Sequence, residues 1–394
     1  MFKCLLLLLF FCSIINGCNF KNNNPDEVIA LEFIYNNMNG DNWENNANWL
    51  NYNISYCDWF GIYCNEKCSV TILSMQSNNV SGNIPIQISK LSNLSTLAWS
   101  LNNISGPIEN LLDLPLLEYL YLDVNPINDK LPNNIDKLSF LKKISLGQSG
   151  IYGTIPETIG NITNLTTLAL NTNNLSGTLP QSISKLSLVL FYTFDNPLLG
   201  GDVEHIFENM KNLTYLLIKN CNYTSRLPIF GSSRVVDLEL SNNNFYGDIP
   251  DNWRNLTLIT YLILKNNKIS GGLEHILNLH NLNYLDISSN NFSGQVPIIN
   301  INLSYFSISN NNFIGFIPNK GNLVEYDVTY NPLLRAPKYA AMYAEPRYDI
   351  FTLHDKYICH PVKYFLTTIY CDPEFYYYKY CNCLDNNTKV VPQC

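Results

Sequence analysis

The side chains able to make or break bonds in this chain are few and scattered. Histidines stand at His205, His275, His280, His354 and His360, and none is spaced to serve a serine or cysteine nucleophile. The sequence has no phosphate-cradling G-x-x-x-x-G-K-[ST], no nucleophile elbow G-x-S-x-G, no H-E-x-x-H and no G-x-G-x-x-G. Catalysis is therefore not expected, and no cofactor is read. The remaining chemistry is that of contact. Tyr119, Tyr121, Lys143, Tyr192, Phe194, Tyr215, Lys219, Glu239, Tyr261 and Lys265 recur at fixed offsets in the chain. Aromatic side chains bury much area at low entropy cost, so a rigid platform carrying them makes a good binding surface.

That platform is written as a repeat about 23 residues long, clearest in LTTLALNTNNLSGTLP (Leu165–Pro180) and LNYLDISSNNFSGQVP (Leu282–Pro297). Counting the first leucine-type residue as position 1, units begin at Val70, Leu94, Leu117, Leu141, Leu165, Leu188, Leu213, Val235, Ile259, Leu282, Leu303 and Leu323, with spacings of 20 to 25. Such units stack, each touching its neighbours. Positions 4 and 6 alternate with polar ones, which predicts a short strand with positions 3, 5, 7 and 8 outward. The contact residues named above lie at positions 3, 5 and 7, as do Asp123, Tyr284, Asp286 and Tyr305. Repeat 6 (LVLFYTFDNP) departs most from the pattern and is the best candidate for a specific contact through Tyr192 and Phe194.

Position 9 is asparagine at Asn78, Asn102, Asn125, Asn173, Asn196, Asn243, Asn267, Asn290, Asn311 and Asn331. An amide both donates and accepts, so it can satisfy backbone groups left inside a sharp turn. Ser149 and Cys221 replace it in two units; Cys221 is expected as a buried, unpaired thiol. Position 13 is glycine in nine units, Gly82, Gly106, Gly153, Gly177, Gly200, Gly247, Gly271, Gly294 and Gly315, suiting a positive φ or a close backbone approach. Proline soon follows, as in Ile155-Pro156 and Ile317-Pro318, and excludes a long helix there.

The tail N-x-L-S-G-x-I-P resembles that of plant-type extracellular leucine-rich repeats, found in receptor-kinase ectodomains, polygalacturonase-inhibiting proteins and secreted proteins of microbial eukaryotes. The resemblance covers roughly Cys57 to Asn331. It implies an α/β solenoid: a right-handed leucine-rich repeat coil with a parallel concave β-sheet, an irregular or 3-10 convex side and disulfide-capped ends. It also implies that ligands dock on the concave face. CDWFGIYC (Cys57–Cys64), behind a short helix, is similar to the family's N-terminal cap and implies a Cys57–Cys64 disulfide. The partners of Cys18 and Cys68 stay open, although pairing them with each other is natural. The helix is expected over Asp26–Met38, with Asp26 as N-cap and Val28, Leu31, Ile34, Tyr35 and Met38 on one stripe.

The domain reading is a signal peptide at 1–17, an N-terminal cysteine-containing cap at 18–69, about twelve repeats at 70–334, and a Cys- and Tyr-rich C-terminal region at 335–394. Lys3, the apolar run Leu5–Ile15 and Gly17 carry the signal; Cys18 after Gly17 also fits a lipoprotein cleavage box. No stretch approaches membrane-span length, which needs about 20 apolar residues. The twelve cysteines suit an oxidising compartment. There Cys359, Cys381 and Cys383, with His360, are read as disulfide chemistry rather than a zinc site. Thirteen sequons, at Asn53, Asn79, Asn93, Asn103, Asn161, Asn164, Asn174, Asn212, Asn222, Asn255, Asn291, Asn302 and Asn386, predict N-linked glycans, and none falls on positions 2 to 8 of a repeat. Charged residues are only 14% with net charge -8, so no nucleic-acid partner is expected. The sum is a secreted or surface recognition protein binding a protein, peptide or glycan ligand. Alternatives are an inhibitor of a secreted glycoside hydrolase and an adhesive or structural protein without a discrete ligand.

Overall fold

The computed structural model describes residues 18–276, 278–296, 303–316, 325–335, 383–384 and 390–391. The expected signal segment, the sequons Asn302 and Asn386, and Cys359, Cys371, Cys381 and Cys394 lie outside them. No described helix is long and apolar enough to cross a membrane. The chain divides into two compact units, at Tyr152/Gly153.

The first unit opens with the helix Pro25–Asn37. Its N-cap is Asn24, whose side chain accepts the Asp26 N–H at 3.0 Å. This corrects the expected Asp26 cap. Proline suits the first helical position because its missing N–H would have been unbonded there, so Asp26 falls inside the first turn. Ala30, Leu31, Ile34 and Met38 face inward with the fully buried Glu27. Strand Ile62–Cys64 runs antiparallel to Val70–Ser74. Then Thr96–Ala98, Tyr119–Tyr121 and Lys143–Ser145 follow in parallel, in the register Ile72↔Thr96↔Tyr119↔Lys143. Two disulfides, Cys18–Cys68 and Cys57–Cys64, staple the cap. Cys18 thus has a sulfur partner, and the lipoprotein alternative loses its free thiol.

The second unit continues the pattern with strands from Thr167–Ala169 to Glu325–Asp327, joined in register as Thr167↔Leu190↔Tyr215↔Asp237↔Tyr261↔Tyr284↔Tyr305↔Glu325. In both units the central strand residue is buried, from Leu97 and Leu120 to Leu262 and Phe306. Behind the strands, short 3-10 turns such as Ile86–Lys90, Gln181–Lys185 and Asp251–Asn255 each begin after a proline, as the proline positions require.

What ends every strand is position 8. All twelve residues there, from Ser77 to Tyr330, are left-handed with φ between 51° and 60°. The turn aims the position 9 side chain into the coil. Asn267 shows the resulting bonding: its Nδ2 donates to Leu240 O at 3.0 Å and Leu264 O at 2.9 Å, and its Oδ1 accepts Phe245 N–H at 3.0 Å. Asn102, Asn125, Asn196, Asn243, Asn290, Asn311 and Asn331 repeat it. Asn173 donates to Leu170 O at 3.0 Å. The first rung, Asn78, grips the cap instead, accepting Asn45 N–H at 2.7 Å and donating to Asn45 O at 2.9 Å. Cys221 is buried and unpaired; its Sγ approaches Thr193 O at 3.2 Å, and burial pushes its thiol up to about 12.

Position 13 shows both of the expected uses of glycine. Most of its glycines take positive φ, but in repeat 6 Gly201 does so in place of Gly200. A Cβ on Gly200 would stand 2.2 Å from Asn222 O, so close backbone approach explains that glycine.

Candidate ligand-binding face

On the strand side of the first unit, Tyr119 lies opposite Lys143. Lys143 Nζ sits 4.8 Å from the centroid of the Tyr121 ring. Lys142 pairs with Glu118 at 2.7 Å and lies 5.9 Å from the Tyr119 ring centroid. Burial, then the neighbouring Tyr119 and Asp123, raise the Tyr121 phenol. Asp123 is not an open contact group. Its carboxylate accepts Ser100 Oγ at 3.1 Å, Ser145 Oγ at 2.6 Å and Gly147 N–H at 3.0 Å. It is a bracket holding three repeats together.

In the second unit, Tyr192 and Phe194 of repeat 6 face the strand side with ring centroids 6.0 Å apart. Lys219 Nζ lies 5.5 Å from the Phe194 centroid and 3.2 Å from Glu239. Tyr192 has its phenol pushed up to about 12, first by burial and then by the charge of Asp237 and by Tyr215. The structure thus gathers Tyr192, Tyr215, Lys219 and Glu239 around one carboxylate, Asp237, with Phe194 joined to the group through Tyr192 and Lys219. That residue occupies position 3 of repeat 8, where tyrosine prevails in other units, so a search for aromatics passes it over. Burial holds its carboxyl up at about 6; Glu239 adds to the rise and Lys219 opposes it.

Further along, Tyr261, Tyr284 and Tyr305 stack in sequence, with centroids 5.8 Å and 4.1 Å apart. Tyr261 and Lys265 are exposed at this end. Not every outward position is accessible, however. Asp286 at position 5 is only 4% exposed, and its Oδ1 accepts Ser288 N–H and Oγ. Leu217 and Ser307, also at position 5, are buried as well. Strict alternation predicts exposure for all three; Asp286 instead turns onto the Ser288 N–H and hydroxyl.

Three segments of the chain, residues 164–186, 234–256 and 281–299, match the family model described as Leucine Rich Repeat. The chain is 26% identical over 304 residues to Receptor-like kinase TMK2 of Arabidopsis thaliana, covering 75% of this chain but 30% of the kinase. Its fold is similar to the leucine-rich repeat ectodomain of the plant membrane receptor kinase GASSHO1/SCHENGEN3 from Arabidopsis thaliana, with a TM-score of 0.68, 27% identity, and 77% and 38% of the two chains covered. The chain has the leucine-rich repeat fold and is similar to plant leucine-rich repeat receptor-like proteins. The solved structure of the Arabidopsis receptor kinase HAESA with the peptide hormone IDA and the co-receptor SERK1 matches this leucine-rich repeat chain at the same TM-score of 0.68 and 25% identity, covering 79% of this chain and 54% of that one. The chain therefore spans about a third of the kinase and between a third and just over half of these ectodomains.

Proposed function

We propose that this chain is an extracellular, non-catalytic recognition module that takes a peptide ligand on its strand face, centred on repeats 6 to 8. The observation that carries the reading is the gathering of Tyr192, Phe194 and Tyr215 with Lys219, Asp237 and Glu239 on one half-buried patch. Binding hot spots favour such aromatic anchors beside partly desolvated charges. Two structural relatives support the choice of ligand, one solved with CASPARIAN STRIP INTEGRITY FACTOR 2 and one with the peptide hormone IDA. The sequons also suit it. Asn53, Asn79, Asn103, Asn161, Asn164, Asn174, Asn212, Asn222, Asn255 and Asn291 are exposed, outside positions 2 to 8, so glycans there would leave the strand face bare.

The test is to select binders from a displayed library of random peptides on the purified chain, then measure their affinity for Tyr192→Ala/Phe194→Ala. The expected loss is at least tenfold, about 1.4 kcal/mol, with the melting temperature little changed. Binders indifferent to both substitutions would remove this face as the ligand site.

A further inference from the structure

The patch in repeats 6 to 8 has one negative charge more than it neutralises internally. Lys219 pairs with Glu239, their side chains 28% and 15% exposed. Asp237 stands on the same face, between Tyr215 on one neighbouring strand and Tyr261 on the other. Its carboxylate accepts no hydrogen bond from any described residue. Two carboxylates share a single ammonium in a region already shielded from water. Such an arrangement is stabilised by an incoming cation, through charge complementarity. The surrounding rings suit the same guest, because aromatic faces attract ammonium and guanidinium groups; Lys219 over Phe194 shows this internally.

We infer that Asp237, walled by Tyr192, Tyr215 and Tyr261, receives a lysine or arginine side chain of the bound peptide. The inference rests on the peptide-binding reading above and adds the chemical identity of one anchor. Binding then depends on pH. The groups facing Asp237 are Tyr215 and Lys219 from repeat 7, Tyr261 from repeat 9, Tyr192 from one strand further away in repeat 6, and Glu239 from its own strand. The Asp237 carboxyl protonates as pH falls through about 6, so the cation loses its partner below that point.

The experiment uses the strongest displayed peptide, synthesised with each arginine replaced by citrulline or each lysine by norleucine, against the full chain and its Asp237→Asn variant. The expected result is that one such neutral replacement weakens binding to the wild type at least tenfold and causes no further loss in Asp237→Asn. Wild-type affinity also falls between about pH 7.5 and about pH 5, while that of the variant stays level. Asp237→Glu restores part of the preference, and unchanged melting of Asp237→Asn excludes misfolding. If binding needs Tyr192 and Phe194 but ignores the neutral replacements and Asp237→Asn, the basic anchor is wrong and the peptide site stands. If no selected peptide depends on Tyr192, Phe194 or Asp237, or none is selected, both readings fall.

Discussion

An asparagine at position 9 is worth what its backbone partners would lose without it. Asn267 serves Phe245 N–H, Leu240 O and Leu264 O. Replacing it by alanine leaves buried groups unmet, so Asn267→Ala is expected to lower stability by about 1–3 kcal/mol in denaturant melts. Cys221 should behave differently. The amide acceptor at position 9 normally takes an N–H from the preceding repeat. In repeat 6, Asn196-Pro197 turns back so that Leu199 N–H bonds Asn196 O at 3.0 Å. In repeat 3, Asn125-Pro126 turns more tightly, with Ile127 N–H on Asn125 O at 2.9 Å. The next slots, Cys221 and Ser149, are the two that lack asparagine; each follows an Asn-Pro pair, and the Cys221 Sγ makes only weak sulfur bonds, to Thr193 O at 3.2 Å and Lys219 O at 3.4 Å. Cys221→Ser should therefore cost less than Asn267→Ala; equal losses would break this account. The Asn-Pro pairs were present in the sequence, but their meaning emerges only once the turn is seen. Position 8 was less legible still. Its left-handed φ is imposed on Leu101, Val124 and Tyr330 as well as on asparagines, so residue preference carries little signal. Val124 is β-branched, 39% exposed and at φ 55°. Asparagine tolerates this conformation, and Val124→Asn should raise stability by about 1 kcal/mol; a lower melting point would mean that valine's contacts outweigh the strain.

Elements are set by the pattern only as far as their neighbours allow. The period-2 alternation gave the strands and their buried centres, yet missed the burial of Leu217, Asp286 and Ser307 at position 5, because alternation along one strand contains no information on its neighbours. The helix Pro25–Asn37 was legible as an amphipathic stripe, but its most consequential residue, Glu27, stands in the first turn, where an exposed acid is ordinary and gives no signal of burial. It is fully buried. Its Oε2 accepts Tyr56 O–H at 2.5 Å and Val70 N–H at 3.1 Å, tying the helix to the first repeat strand, while Oε1 has no partner. Burial raises its carboxyl above the ordinary value of 4.5, and the bonds from Tyr56 and Val70 only partly oppose this. A raised carboxyl means that the folded cap holds a proton which the unfolded chain has released. Its contribution is full below about pH 4.5 and is lost as pH rises through the folded value. Glu27→Gln keeps an acceptor and has nothing to titrate. The stability of Glu27→Gln relative to wild type should therefore climb with pH across this window in parallel thermal melts; a difference that does not change with pH would refute a proton on Glu27.

At the scale of the whole molecule, stability in a repeat chain is a sum of local terms and nearest-neighbour interfaces, so the way an end is closed matters more than in a globular core. The sequence made the repeats plain and the cap recognisable; connectivity of Cys18 and Cys68 was not fixed by spacing, since it depends on how the helix folds back over the first strand. In the structure that bridge spans 50 residues, and closing a loop of that length restricts the unfolded chain by about 4 kcal/mol in the chain-entropy account. The energy is concentrated where Asn78 and Glu27 also join cap to repeats. Mild reduction should therefore act locally. Hydrogen exchange followed by mass spectrometry is expected to show faster exchange across residues 18–80 while the strands of repeats 8 to 10 keep their protection. If protection fell evenly throughout, the chain would be behaving as one cooperative body and the nearest-neighbour description would fail. If it fell nowhere, the hydrogen bonds from Asn78 and Glu27 would be enough to hold the cap, and the disulfides would owe their presence to something other than equilibrium stability.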